Sequence, residues 1–200
     1  QNFIAADALL TPEGLPAQWP KADVIIGNPP FLGASRLKPD RGDEYVDAVR
    51  AAYPAVPGMA DYCVYWIRKA HDHLPTCNAA DPVAGRAGLV GTQNIRNNQS
   101  RVGGLDYVVK TGTIVETVEN QPWSGEANVH VSIVNWVKTQ DTALLPNTRR
   151  LWFKVEPRVF HCHCIFGCFS CHHNCKRRFS PFVEGKTFNS FDGCNMGICF

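Results

Sequence analysis

Val24, Ile25 and Ile26 lead directly into Gly27-Asn28-Pro29-Pro30-Phe31. A continuous apolar run of this kind reads as a strand covered on both faces, the habit of a parallel sheet. Two prolines then stop it. Each fixes its own φ and lacks an N–H, and the residue before a proline is held extended. Asn28 and Pro29 therefore keep little backbone freedom. The turn offers three groups together: the Asn28 side-chain oxygen, the Pro29 carbonyl and the Phe31 ring. Two fixed acceptors beside an aromatic face suit a planar group that carries an NH₂, such as a nucleobase with an exocyclic amine.

Such an amine is a poor nucleophile, because its lone pair is delocalised into the ring. If both N–H bonds point at fixed acceptors, the nitrogen moves towards tetrahedral geometry and its lone pair turns outward. An electrophilic methyl held in line can then be attacked. The gain comes from positioning and from acceptors already in place for the developing positive charge. Removing a base from a duplex costs a few kcal/mol (~2–4), which stacking and hydrogen bonds must offset.

The rest of the chain supplies the frame. A short apolar strand end is expected within Asn2 to Leu10, followed by a Pro-rich surface connection and the strand at Ala22 to Asn28. Helices are expected at Gly42 to Tyr53, with Tyr45, Val49 and Ala52 or Tyr53 on one stripe, and at Ala60 to Leu74, with Cys63, Ile67, Ala70 and Leu74 on one stripe. Pro54 and Pro75 end them. A second buried strand is expected at Arg86 to Gln93, a helix near Leu105, and a hairpin from Gly112 to Lys138 whose connecting loop holds Trp123. Leu151 to Val155 reads as one more strand. This order argues for an α/β sheet with an antiparallel edge, in which ligands bind at the carboxyl ends of the strands. Asp7 and the Asn28–Phe31 turn both follow expected strands, so both are expected on that edge. Asp61 reads as a charge at a helix end, suited to the helix dipole. His71, His73 and His130 read as surface or hydrogen-bonded histidines.

Asn28-Pro29-Pro30-Phe31 after a buried strand resembles the catalytic motif of amino-group methyltransferases that use S-adenosylmethionine. With "DVIIGNPPFLG", "GDEYVDA", "ADYCVYW" and "VHVSIVNW" in order, residues 1–155 resemble the adenine-N6 DNA methyltransferase domain of large single-chain restriction–modification enzymes. The resemblance implies the C-terminal part of a class I, Rossmann-like sheet with an antiparallel C-terminal hairpin. It implies S-adenosyl-L-methionine as cofactor and duplex DNA as partner, with catalysis by Asn28, Pro29, Pro30 and Phe31. Phe31 and Trp123 would stack on the flipped base, and Asp7, Ala8 and Asn28 would border the cofactor. Asp7 also fits a helix cap, and Trp123 a core anchor of its loop. Methylation of a guanine amine in ribosomal RNA or of a protein glutamine amide uses a similar turn, and an inactive fragment is a further reading. The family's Gly-rich cofactor loop is expected upstream of Asp7. A chain that opens on Gln1 is therefore expected to begin inside a longer protein, to lack its target-recognition domain, and to be inactive alone.

The net charge of +2 neither argues for nucleic acid nor against it. Arg96 and Arg101, in the polar stretch Asn94 to Arg101, are candidate phosphate contacts, although a solvated loop reads equally well. Of nine cysteines, Cys63 and Cys77 alone precede residue 160, so the body reads as a reduced, cytoplasmic domain. The other seven crowd into residues 156–200 with His161, His163, His172 and His173. Zinc ligands normally come as two separated pairs. This crowding, and the abrupt loss of acidic residues and periodicity near Pro157, favour disorder or a non-native reading frame over a metal site.

Overall fold

The aliphatic run before the double proline forms β1 (Val24–Gly27). The structure, a computed structural model, describes residues 4–123 and 129–145. After β1 come α1 (Ala34–Arg41), α2 (Asp43–Ala52), α3 (Cys63–His73) and β2 (Arg86–Thr92). A 3₁₀ turn (Gln93–Arg96), α4 (Asn98–Gly103), α5 (Leu105–Val108), β3 (Thr113–Pro122), β4 (His130–Val137) and a second 3₁₀ turn (Thr142–Leu144) complete it. The expected strand at 151–155, the boundary near 155 and the Cys/His-rich tail lie outside the described residues. Among the described residues no helix is long and apolar enough to cross a membrane.

The sheet has the order β1-β2-β4-β3. β1 and β2 are parallel, and β4 runs antiparallel to both of its neighbours. The fold is therefore mixed α/β. The expected antiparallel hairpin forms one side of the sheet, with the reversed β4 inside and β3 outermost. Composition explains that order. Val131, Val134, Trp136 and Val137 of β4 are buried, while β3 carries Glu116, Glu119 and Asn120. A charged, half-exposed strand is the one that tolerates an edge.

Two expectations change. Ile25 is fully buried but Ile26 is 36% exposed, so the described helices cover β1 on one face only. Register places Ile26, Gly88, Asn135 and Glu116 in one row across the uncovered face. A Cβ on Gly88 would lie 2.5 Å from Asn135 Oδ1, so any larger residue there would make that amide shift. No strand forms at residues 4–10. Leu9 is buried, and Leu10 makes an isolated antiparallel bridge to Pro16.

α2 opens with Asp43 and Glu44, which suit the positive end of its dipole, and Pro54 follows its end. Val46 and Val49 are its buried residues, whereas Tyr45 is only half-buried. α3 buries the expected stripe together with Val64, Tyr65 and Trp66. Its inner side meets Ala87 and Leu89 of β2 and Val134 and Trp136 of β4 in one core. Each such large side chain contributes about 1.5–3 kcal/mol by leaving water. Cys63 and Cys77 are buried and free.

His71 is buried beneath this core, with Nε2 and Thr111 Oγ1 2.8 Å apart. Burial, helped by the Lys138 charge, lowers its pKa to about 4. An unfolded histidine titrates near 6.5. Between these values the unfolded chain binds the extra proton, so stability is full above pH 6.5 and falls as the pH drops towards 4. The loss amounts to about 3 kcal/mol. Urea midpoints measured from pH 8 to 4 should follow this slope, and His71→Gln should flatten it. Gly91→Ala should also destabilise. Its Cβ would stand 2.6 Å from Ile95 Cγ2 and 3.4 Å from Cys63 Sγ. A cost of about 1–3 kcal/mol, read as a lower urea midpoint at pH 7.5, is expected from overpacking.

Candidate functional site

β1 runs parallel to β2, and β3 runs the same way, so Asn28, the end of β2 and Trp123 share one end of the sheet. Asn28 is exposed there, and its side chain makes no hydrogen bond among the described residues. Pro29 is buried, Pro30 exposed and Phe31 half-buried. The Phe31 and Trp123 rings meet edge to face, with centroids 5.2 Å apart and planes at 79°. The Trp123 N–H donates to the Val129 carbonyl at 2.9 Å, which closes the connection between β3 and β4. The two aromatic residues singled out from the sequence thus come together, at the same end of the sheet as an amide whose oxygen and NH₂ are both unengaged among the described residues.

What fixes this turn to the sheet is Asp61. Its Oδ1 accepts from the Ala34 N–H at 3.3 Å, just beyond the turn. Its Oδ2 accepts from Thr92 Oγ1 at 2.5 Å and from Asn94 Nδ2 at 3.1 Å. Its own N–H donates to Ser100 Oγ at 2.9 Å, and the Tyr62 N–H donates to the Leu32 carbonyl at 2.9 Å. Asp61 is only 5% exposed and is a hub rather than a surface charge at a helix end. The sequence signal for this was slight: one carboxylate within the otherwise apolar run Ala60 to Ile67.

Asp7 lies at the end of a second chain of bonds. Its Oδ1 accepts from the N–H groups of Leu9 and Leu10 at 2.7 and 2.9 Å. Its Oδ2 accepts from the Tyr45 hydroxyl at 2.8 Å. Since Tyr45 spends its proton there, Tyr62 donates in the 2.6 Å bond between the two hydroxyls, and Arg41 donates to Tyr62 at 3.2 Å. The chain therefore runs from cation to anion. Burial raises the Asp7 pKa, but the N–H groups of Leu10 and Leu9, the Tyr45 hydroxyl and the Arg41 charge outweigh it, and the net shift is downward. Burial and the Tyr62 and Asp7 bonds push the Tyr45 hydroxyl upward, so it stays a donor. The Ala8 carbonyl accepts from Trp19 Nε1 at 2.7 Å. Tyr62 joins this chain to the turn, through its backbone bond to Leu32.

The remaining sequence candidates are engaged elsewhere. The Arg96 guanidinium pairs with Glu119, and Arg101 Nε pairs with Asp106 at 2.9 Å. A phosphate would compete with a carboxylate at each. Their stretch is also not a plain loop: it forms the 3₁₀ turn and α4. Among the described residues no group of three or more His, Cys, Asp or Glu could hold a metal ion.

No protein-family model matches the chain, and no curated protein matches it in sequence. Among solved structures the chain is similar to the Type IIL restriction-modification enzyme MmeI in complex with DNA, at 21% identity and a TM-score of 0.47. That match takes in 59% of this chain but 16% of the enzyme's chain, so the present sequence spans a small part of that enzyme's length.

Proposed function

We propose that this chain forms the amine-binding part of a DNA adenine-N6 methyltransferase of the restriction–modification kind, with S-adenosyl-L-methionine as cofactor. The observation that carries the reading is the exposed Asn28 amide, unengaged among the described residues, set before two prolines at the end of β1 and at the same end of the sheet as the Phe31–Trp123 pair. An adenine turned out of the duplex would place its N6 hydrogens on Asn28 Oδ1 and the Pro29 carbonyl. Phe31 would take its flat face, with Trp123, nearly perpendicular to Phe31, bordering the base at its edge, and stacking on an aromatic side chain is worth about 1–3 kcal/mol per base.

The cofactor supplies an electrophilic methyl on a sulfonium, and the bonding pair stays on sulfur when that methyl is transferred. The protein's part is to turn the N6 lone pair outward and to stabilise the positive charge that grows on the nitrogen, with acceptors that need no reorganisation. The surplus N6 proton then leaves to water. Asp7 fits the role of holding the cofactor's adenine. It is exposed, its pKa is lowered, and a carboxylate has acceptor sites beyond its present bonds. Ala8, next to it, would border the same ring.

The test is methyl transfer to duplex DNA by the full-length protein that contains this chain, with N6-methyladenine measured after digestion of the DNA. Asn28→Ala should lower kcat by about 10²–10³-fold, the usual cost of removing one pre-set polar group from a transition state. An unchanged rate in that variant would sink the reading. So would methyl found in a guanine of ribosomal RNA, or on a glutamine amide, and not in DNA.

A further inference from the structure

We infer that Asp61 is the positioning residue of this site, its buried carboxylate fixing the Asn28–Phe31 turn against the end of β2. The inference rests on the proposed amine methylation, which defines what must be positioned. Two prolines set the shape of the turn but not its place on the sheet. That place depends on what anchors the chain after Phe31, and the anchors are the Ala34 N–H on Asp61 Oδ1 and the Leu32 carbonyl on the Tyr62 N–H. The same carboxylate is tied through Thr92 to the last residue of β2, the strand paired with β1. One side chain therefore joins the downstream end of the turn to the neighbouring strand.

A cap for α3 would explain an aspartate here more simply, but α3 receives no side-chain cap hydrogen bond. The Val64 N–H bonds to the backbone carbonyl of Asp61 instead, and the carboxylate points towards the turn and β2. Stability alone does not call for an acid either. Among the described residues no Lys, Arg or His pairs with Asp61. A buried charge without a cation is a costly way to hold a fold, and apolar replacement of buried ionic groups is often neutral or stabilising. What an ionised carboxylate adds is directional, charge-assisted hydrogen bonding from several donors at once. That is what holding three backbone and side-chain donors in fixed relative positions requires.

The test compares Asp61→Asn and Thr92→Val with Ser100→Ala in the full-length protein, each at a temperature where it is fully folded. Ser100→Ala removes the bond to the Asp61 N–H but leaves the carboxylate's bonds intact. Hydrogen exchange of the segment from Phe31 to Arg36 should speed up about tenfold or more in Asp61→Asn, less in Thr92→Val, and not in Ser100→Ala. The kcat for DNA methylation should fall about 10–100-fold in Asp61→Asn, as misplacement of a reacting group does, with cofactor Kd within twofold of wild type. Thr92→Val keeps the assay informative if Asp61→Asn does not fold. Wild-type exchange in that segment in Asp61→Asn, or in Thr92→Val where Asp61→Asn does not fold, overturns the inference, as does an equal kcat loss in Ser100→Ala. A wild-type protein that methylates no DNA would instead remove the functional reading, and the exchange measurement would still decide whether Asp61 positions the turn.

Discussion

A carboxylate with no cation beside it among the described residues, bonded instead to three donors, holds the working end of this sheet together. Asp61 joins the start of α1, the end of β2 and the 3₁₀ turn after β2. The start of α1 is far in sequence from the other two, which adjoin each other. Ala34 and Thr92 are half-buried and Asn94 is exposed, so what the common acceptor adds to their three bonds is a fixed meeting point. One charged acceptor satisfies all three and also fixes their relative placement. The double proline matters because of this. A stiff turn transmits the position of its anchor to Asn28, where a flexible one would lose it.

Tyr62 makes the arrangement cooperative. Its backbone N–H holds Leu32, and its hydroxyl sits between Arg41 and Tyr45 in the chain that ends on Asp7. Its ring also lies 4.7 Å from that of Trp66, inside the α3 core. A single buried tyrosine thus ties the Asp7 turn, the Asn28–Phe31 turn and the main core to one another. Hydrogen bonds aligned from a cation to an anion polarise each other in the same sense, so the chain is stiffer than its separate bonds.

What could be read from the sequence follows from how each element makes its contacts. β1, α2, α3, β2 and the hairpin were legible because each buries apolar side chains at a regular period. α1 was not, because Leu37 is its one buried residue and Pro39 stands within it. α4 was hidden in "NIRNNQSR" because it packs through small residues: Ser100 and Gly103 face inward, and a Cβ on Gly103 would meet Pro57 Cδ at 2.7 Å. Hydrophobic periodicity does not register contacts of that kind. The pairing of Phe31 with Trp123 was legible only as two separate aromatics, since a distance across the sheet depends on strand order, and β4 inserting between β2 and β3 was not anticipated. Asp61 was missed for a related reason. An aspartate before a helix has a common explanation at the level of local sequence, and its burial is decided by elements 30 to 40 residues away.

The two arginines show where such a site's affinity does not come from. Arg96 and Arg101 each face a carboxylate, and the net charge of the chain is only +2. Non-specific attraction to a polyanion scales with the number of phosphates neutralised, so a surface whose basic groups are already matched contributes little to it. On the proposed reading, this region recognises one base by an amine and a ring face and leaves strand binding to other surfaces. That division suits the geometry. The Asn28 and Pro29 acceptors can be tuned for the charge that develops during methyl transfer without also carrying the affinity for the duplex, and interactions made only in the transition state are the ones that raise a rate.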